Sequence, residues 1–308
     1  MADVVVDKKA LIEGERPMFN ASYGKLMMWY FLVSDALTFS GLLIAYGALR
    51  VRAGSQGLSW ANPEEVFTHT PFLYELWHIE APLVFVGIMT FILILSSVTM
   101  VLAVEAGHRK SKQEVAKWVF LTILGGATFL GCQAYEWYHF IHGTDHGAVI
   151  LKPDELAGVN LPADAFDDPH GLAVFPVMGL AATEGGAKTV TELRLRDGYR
   201  ISDPGVIRTV TDILANPEAN EARFTHGGAN MLANEYGPPA FANLFFFVTG
   251  FHGTHVFSGV VLLIILLLNV QKGTYERRGH YEMTEKIGLY WHFVDLVWVF
   301  VFTFFYLV

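Results

Sequence analysis

The chain has 308 residues, of which 53% are hydrophobic and 17% are charged, with a mean hydropathy of +0.37 and a formal net charge of −9. This composition is too apolar for an ordinary soluble domain, and it predicts an integral membrane protein. The single cysteine, Cys132, excludes an intrachain disulfide and gives no signal of thiol chemistry or of a zinc site. No basic tract indicates nucleic-acid binding.

Five apolar runs are long enough to cross a hydrocarbon core about 30 Å thick. We therefore predict an all-α fold, a polytopic membrane bundle of five transmembrane helices. In chain order the runs are 26–49, 82–104, 118–135, 240–270 and 287–308.

The basic residues of the short segments predict the orientation of these helices. Lys and Arg concentrate in the tail 1–25 and in the two segments 105–117 and 271–286, which five spans place on one side. The N-terminus is then cytoplasmic, and the C-terminus is extracytoplasmic. The first 17 residues hold no apolar run that would serve as a cleavable signal peptide.

The predicted organisation is a cytoplasmic tail over 1–25, helices 1–3 over 26–142, an extracytoplasmic acidic insertion over 143–240, and helices 4–5 over 241–308. The insertion has 14 Asp and Glu against 7 Lys and Arg. Alternation over 189–196 and 199–202 around Asp197-Gly198 predicts a β-hairpin, and 206–215 predicts a short helix. Since a lone hairpin is marginal in water, we expect it to pack on something else, and we predict no second soluble domain.

The fourth run contains two histidines, His252 and His255, although it carries no formally charged residue. Imidazoles are costly in lipid, so the stripe that they share with Gly259 is predicted to face protein or a polar cavity. A second stripe of small side chains lets a neighbouring helix approach closely. It consists of Gly250, Thr254 and Ser258.

Two carboxyl groups lie inside the first and last runs. Asp35 and Asp295 are each about 13 Å from the predicted cytoplasmic end of the span, at helical rise. Each is either a proton-handling group or a polar residue hydrogen-bonded to a neighbouring helix. His292 precedes Asp295 by three residues and shares its helix face, so the carboxylate is placed to orient the imidazole.

Two Glu-x-x-His strings, Glu75 to His78 and Glu136 to His139, have the spacing that di-iron proteins use on bundle helices. A membrane di-iron oxidoreductase is therefore an alternative reading. Against it, both strings lie at the outer ends of their spans, whereas the carboxyls of the other spans lie nearer the inner side. His252 and His255 form a possible metal pair without a predictable third ligand, and we favour structural histidines.

The apolar runs resemble those of one known family. The longest matching strings are TGFHGTHVFSG at 249–259 and YWHFVDLVWVFVFTFFYL at 290–307. Shorter ones are LMMWYFLVSDALTFSGLLIAY at 26–46, TFILILSSVTMVLA at 90–103 and LGCQAYEWYHFI at 130–141. Together they are similar, in order, to the helices of subunit III of the haem-copper (cytochrome c) oxidases, in its five-helix bacterial type.

The resemblance implies an accessory subunit of a proton-pumping terminal oxidase in the bacterial inner membrane. Such a subunit holds no redox centre and has no catalytic, cofactor-binding or metal-binding residue. It packs against subunits I and II, which carry haem and copper, contacts membrane lipids and can bind phospholipid, and supports proton uptake by subunit I. The residues expected to serve as buried structural groups or to support proton uptake are Asp35, Glu136, His252, His255, His292 and Asp295.

The chain departs from the family pattern at three places. It has five runs where the mitochondrial type has seven helices, Ser34-Asp35 stands where the family usually has Glu, and the insertion is much longer than usual. For the insertion, two roles stand beside that of a plain solvated loop: attraction of a basic cytochrome c, or docking of another respiratory complex. A quinol oxidase subunit of the same family is the alternative to a cytochrome c oxidase.

Overall fold

The five predicted spans are confirmed as helices long and apolar enough to cross a membrane. They are α1 (Tyr23–Ser55), α3 (Val84–His108), α4 (Lys112–His142), α6 (Pro239–Gln271) and α8 (Glu282–Phe302), which continues in a π-helical turn (Thr303–Leu307). The computed structural model describes residues 22–55, 60–61, 63–67, 83–143, 147–156, 158–159, 172–180, 188–195, 200–225, 227–230, 234–236 and 238–307.

α1, α4 and α6 extend beyond both ends of the apolar runs that predict them, α3 extends beyond the C-terminal end of its run, and α8 begins before its run, because polar turns continue the backbone hydrogen bonding. Two short helices, α2 (Pro63–Val66) and α7 (Thr274–Arg278), lie in the connections. We call the end of the bundle that carries residues 109–111 and 272–281 the basic end, and the opposite end, from which the insertion emerges, the sheet end.

Trp291 of α8 organises the packing of the bundle. Its ring packs against Gly126 of α4 and Gly259 of α6. A Cβ atom added at these glycines would lie 2.5 Å and 3.0 Å from the ring, respectively. Its indole N–H donates to Ser96 Oγ of α3 at 3.1 Å. One side chain that is 1% exposed therefore touches three other helices, which explains why small residues stand opposite it.

The insertion contains a five-stranded antiparallel sheet in the order β4-β3-β2-β1-β5. The predicted hairpin is confirmed as β3 and β4, with Leu193 opposite Ile201, and its turn lies outside the described residues. The prediction of an all-α fold is confirmed for the bundle, and the insertion adds this sheet to it. The strands are β1 (Ala148–Leu151), β2 (Leu172–Leu180), β3 (Lys188–Leu195), β4 (Arg200–Ile201) and β5 (Phe224–Thr225).

The sheet has its own apolar core, so the prediction that the insertion contains no second soluble unit is corrected. The predicted helix is confirmed as α5 (Pro204–Ala215), and Val206, Val210 and Ile213 pack on the sheet in a cluster separate from that of the bundle. Of the five strands, the sequence pattern identified only β3 and β4. β1 and β5 are four and two residues long and carry too little alternation to detect, and the nine-residue β2, LAVFPVMGL, is a nearly continuous apolar run without alternation.

A backbone junction closes the insertion at the sheet end of the bundle. Ala229 N–H donates to the carbonyl of Phe140 at 2.9 Å, and the Glu235 carboxylate accepts from Gly228 N–H at 2.8 Å. Gly143 and Gly228 both have positive φ, and a Cβ on Gly143 would lie 2.0 Å from Gly228 N. The two ends of the insertion are therefore held together independently of the sheet.

Candidate functional site

His255 of α6 and Asp35 of α1 form a polar contact in the middle of the bundle. His255 Nε2 lies 3.1 Å from Asp35 Oδ2, and His255 Nδ1 lies 2.8 Å from the carbonyl oxygen of Phe251. Because a carbonyl only accepts, Nδ1 carries a proton. One more proton must then lie between Nε2 and Oδ2, either as an imidazolium facing a carboxylate or as a carboxylic acid donating to a neutral imidazole. The pair has no net charge in either form.

His252 occupies a different setting, one turn away on the same helix. Its ring is 0% exposed and lies among the rings of Phe39, Phe129 and Trp298. Neither ring nitrogen has a hydrogen-bond partner within the described part of the chain. The prediction that this stripe faces protein is confirmed, because His252 and Gly259 are both buried.

Asp295 and His292 do not bond to each other among the described residues, so the suggested pairing of carboxylate and imidazole is corrected. His292 Nδ1 instead lies 2.6 Å from Ser97 Oγ on α3, and Asp295 lies beside the same hydroxyl. Ser97 on the facing helix approaches both side chains, so each polar group turns toward α3 rather than toward the other.

Glu136 of α4 is bonded at the sheet end of the bundle. Its Oε2 accepts from Gln133 Nε2 and from the hydroxyl of Tyr306, both at 2.8 Å. Glu136, the first residue of the second Glu-x-x-His string, is thus hydrogen-bonded to Gln133 of its own helix and to Tyr306 in the last turn of the chain. His139 Nδ1, at the end of the same string, lies 3.0 Å from the carbonyl of Tyr135.

A di-iron or other metal site would need several ligands close together. In the part of the chain that the structure describes, no three His, Cys, Asp or Glu side chains come together in this way. The first Glu-x-x-His string, at 75–78, lies outside the described residues. His255 contacts Asp35, whereas the ring nitrogens of His252 have no hydrogen-bond partner among the described residues. Asp35 and Asp295 lie 12 and 13 residues from the starts of α1 and α8, far from Glu136 along the bundle.

The sequence analysis missed three tryptophan N–H donors and one tyrosine hydroxyl that form hydrogen bonds with hydroxyl groups on neighbouring helices. The sequence feature that could have predicted these contacts is the presence of Ser and Thr inside apolar runs, together with Trp and Tyr, whose rings carry a polar atom, in or beside other runs. The pairs are Trp137 with Thr249 at 3.1 Å, Trp291 with Ser96 at 3.1 Å, Trp298 with Thr90 at 2.9 Å, and Tyr290 with Ser258 at 2.7 Å.

A charged cluster ties three helices at the basic end. Glu285 of α8 lies 2.9 Å from Lys25 Nζ of α1 and 3.2 Å from His108 Nε2 of α3. Its side chain is 24% exposed, so these contacts are more sheltered than ordinary surface pairs. The cluster fixes the relative positions of the helix ends.

Comparison with known proteins shows similarity to oxidase subunits. The family model described as "Cytochrome c oxidase subunit III" matches residues 235–308, which hold Glu235 of the junction, α6, α7 and α8. The chain is 26% identical over 282 residues to "Quinol oxidase subunit 3" of Bacillus subtilis, covering 90% of this chain and 83% of that protein. The chain is similar to the subunit III family of haem-copper oxidases. These relatives are named as subunits of oxidases, and the five membrane-length helices of this chain agree with that similarity.

Two further relatives of this subunit show stronger identity over shorter stretches. "Probable cytochrome c oxidase subunit 3" of Rickettsia conorii is 44% identical over 86 residues, covering 25% of this chain and 30% of the relative. "Cytochrome c oxidase subunit 3" of Synechocystis sp. is 46% identical over 68 residues, covering 22% and 29%. The relatives thus carry both oxidase names.

Proposed function

We propose that this subunit performs no redox chemistry and stabilises the oxidase subunits that carry haem and copper. The observation that carries this proposal is the Asp35 and His255 contact, together with the bonding of Glu136 and His292. Each of these polar groups is engaged by another residue of this chain, and no three converge as ligands among the described residues. Such groups lock helices together and keep the surface offered to subunit I in one shape.

We propose that the basic end is cytoplasmic and the sheet end extracytoplasmic, in a bacterial inner membrane. The Lys and Arg of both short connections lie at one end, as the positive-inside rule requires. The large apolar side chains on the outside of the bundle, such as Leu37 and Ile44 at 70% exposure, then meet lipid or other subunits. Proton uptake by subunit I would be supported from the cytoplasmic side.

We propose cytochrome c as the electron donor, attracted by the acidic insertion. Several acidic side chains of the sheet unit are exposed to water, and an excess of one charge raises the rate of encounter with an oppositely charged partner. The exposed residues are Asp154, Asp203, Asp212, Glu218 and Glu221. Quinol is the second candidate, since the relative matching 90% of this chain is named a quinol oxidase subunit.

A charge reversal tests the donor without disturbing the sheet. Asp212, Glu218 and Glu221 are exposed, so changing all three to Lys should leave the complex intact. We expect slower oxidation of reduced cytochrome c and a weaker dependence of the rate on salt. Removing residues 147–225 while keeping the junction at 227–236 should give the same result. An unchanged salt dependence in both variants would exclude the insertion as the attracting surface, and oxidation of quinol alone would exclude cytochrome c.

A further inference from the structure

Among the described residues, Glu136 forms hydrogen bonds through only one of its two carboxyl oxygens. The residue is 6% exposed, and Oε2 receives both of its donors, from Gln133 and Tyr306. Oε1 is fully buried and has no partner among the described residues, and the side-chain oxygen of Gln133 is also buried without one. Leaving such atoms unsatisfied is costly, so a buried pair of this kind calls for an additional polar group.

A small cavity is lined in part by Glu136. Its volume is about 20 Å³, which is room for one water molecule. Glu136 and His139 supply polar atoms to its wall, so the site differs from the dry, wholly apolar cavities that remain empty. The other described residues of its lining are Val66, Phe67, Phe85, Val86, Tyr135 and Phe140.

The charge balance around Glu136 decides its protonation. Within the described part of the chain, its hydrogen-bond partners are the neutral hydroxyl of Tyr306 and the neutral amide of Gln133, and no Lys or Arg forms an ion pair with it. An ionised carboxylate would therefore be an uncompensated buried charge. A proton removes this cost, and it must reside on Oε1, because Oε2 already accepts two hydrogen bonds.

We propose that Glu136 is a neutral carboxylic acid, protonated at Oε1, which donates to one water molecule held in this cavity. The sheet end of the bundle thereby contains a proton-exchange site, remote from the basic end. The proposal is the same whether the oxidase uses cytochrome c or quinol as its electron donor. It also does not depend on the proposed role of the insertion.

Infrared spectroscopy of the purified oxidase complex tests the assignment. In the difference between wild type and Glu136→Gln, we expect loss of a carboxylic-acid C=O band that moves to lower frequency in D2O. Glu285→Gln is the matched control, because Glu285 pairs with Lys25, and this variant should remove only carboxylate bands. Loss of carboxylate bands in Glu136→Gln would overturn the proposal, as would an acid band that D2O does not shift.

A second variant keeps the test decisive if Glu136→Gln fails to assemble. Tyr306→Phe leaves Glu136 in place and removes one of the two donors to its carbonyl oxygen, Oε2. Weaker hydrogen bonding to a carbonyl raises its stretching frequency, so we expect the acid band to shift upward. A band that does not move in Tyr306→Phe would contradict the assignment of the proton to Oε1.

Discussion

His255 on α6 contacts Asp35 on α1 through a hydrogen bond that requires exactly one shared proton, with Nε2 and Oδ2 3.1 Å apart. The contact joins the two helices near the middle of the bundle. Its two possible forms differ only in which atom holds the proton. Suitable substitutions can therefore separate a structural role from a proton-handling role.

Asp35→Leu removes the partner of His255 Nε2, and it should lower the yield of intact complex. An unsatisfied buried nitrogen costs about 1–3 kcal/mol. Asp35→Asn is the control, since its amide N–H can donate to the neutral imidazole, and this variant should keep both yield and turnover. Yield is measured as haem per tagged subunit. Full yield with collapsed turnover in Asp35→Asn would show that the pair handles protons.

His255→Ala and Asp295→Ala should both reduce the amount of assembled complex more than the turnover of the complexes that form. Each removes a side chain that reaches toward another helix, to Asp35 or to the vicinity of Ser97. Sizing of the solubilised complex and oxygen consumption per haem measure the two effects separately. Normal assembly with lost turnover would exclude a purely structural role.

Gly126→Ala should destabilise the bundle, because its Cβ would lie 2.5 Å from Trp291 Cη2 and 2.9 Å from Val260. Overpacking of this kind costs about 1–3 kcal/mol. Gly131→Ala on the same helix is the control, since its Cβ meets nothing within 4 Å, and it should be neutral or stabilising. Thermal dissociation of the complex compares the two, and equal transition temperatures would refute the role assigned to Trp291.

The stability of the sheet unit should depend on Glu155. Its hydrogen bonds with Arg223 hold the pKa of the Glu155 carboxyl below its usual range. A carboxyl group whose pKa is lowered by folding stabilises the folded state at pH values above the pKa of an ordinary glutamate. This stabilisation is lost as the pH falls through the pKa of the group in the folded protein. Glu155→Gln should therefore accelerate proteolysis of the insertion at neutral pH, and the difference from wild type should vanish in acid. A difference that grows in acid would contradict this sign.

Asp203 caps α5 through hydrogen bonds from the N–H groups of Gly205 and Val206, at 2.8 and 3.1 Å. Asp203→Ala should cost about 0.5–2 kcal/mol, whereas Asp203→Asn should retain most of the cap. Limited proteolysis within the insertion measures both variants in the intact complex. Equal cleavage rates for the two would show that the cap does not stabilise the sheet unit.

The sequence predicted the five spans because a long apolar run has few alternatives in a membrane protein. It also placed Asp35 and His255 on buried faces, but it could not pair them, since helix periodicity does not reveal which helices are neighbours. The pairing of His292 with Asp295 was wrong because the facing helix supplies Ser97. Of the sheet, only the hairpin of β3 and β4 was predicted; β5 is two residues long and pairs with β1 across the rest of the insertion, which no local pattern reveals.

Purification of the tagged subunit from its native membrane, followed by subunit masses and a reduced-minus-oxidised spectrum, tests the central claim most directly. The account predicts that haem and copper co-purify with a large multi-helix partner, and that mild separation leaves this chain free of both. The positions of the haem bands and the remaining masses would identify the oxidase type. A lone chain that carries non-haem iron would contradict the account and restore the two Glu-x-x-His strings as a metal site.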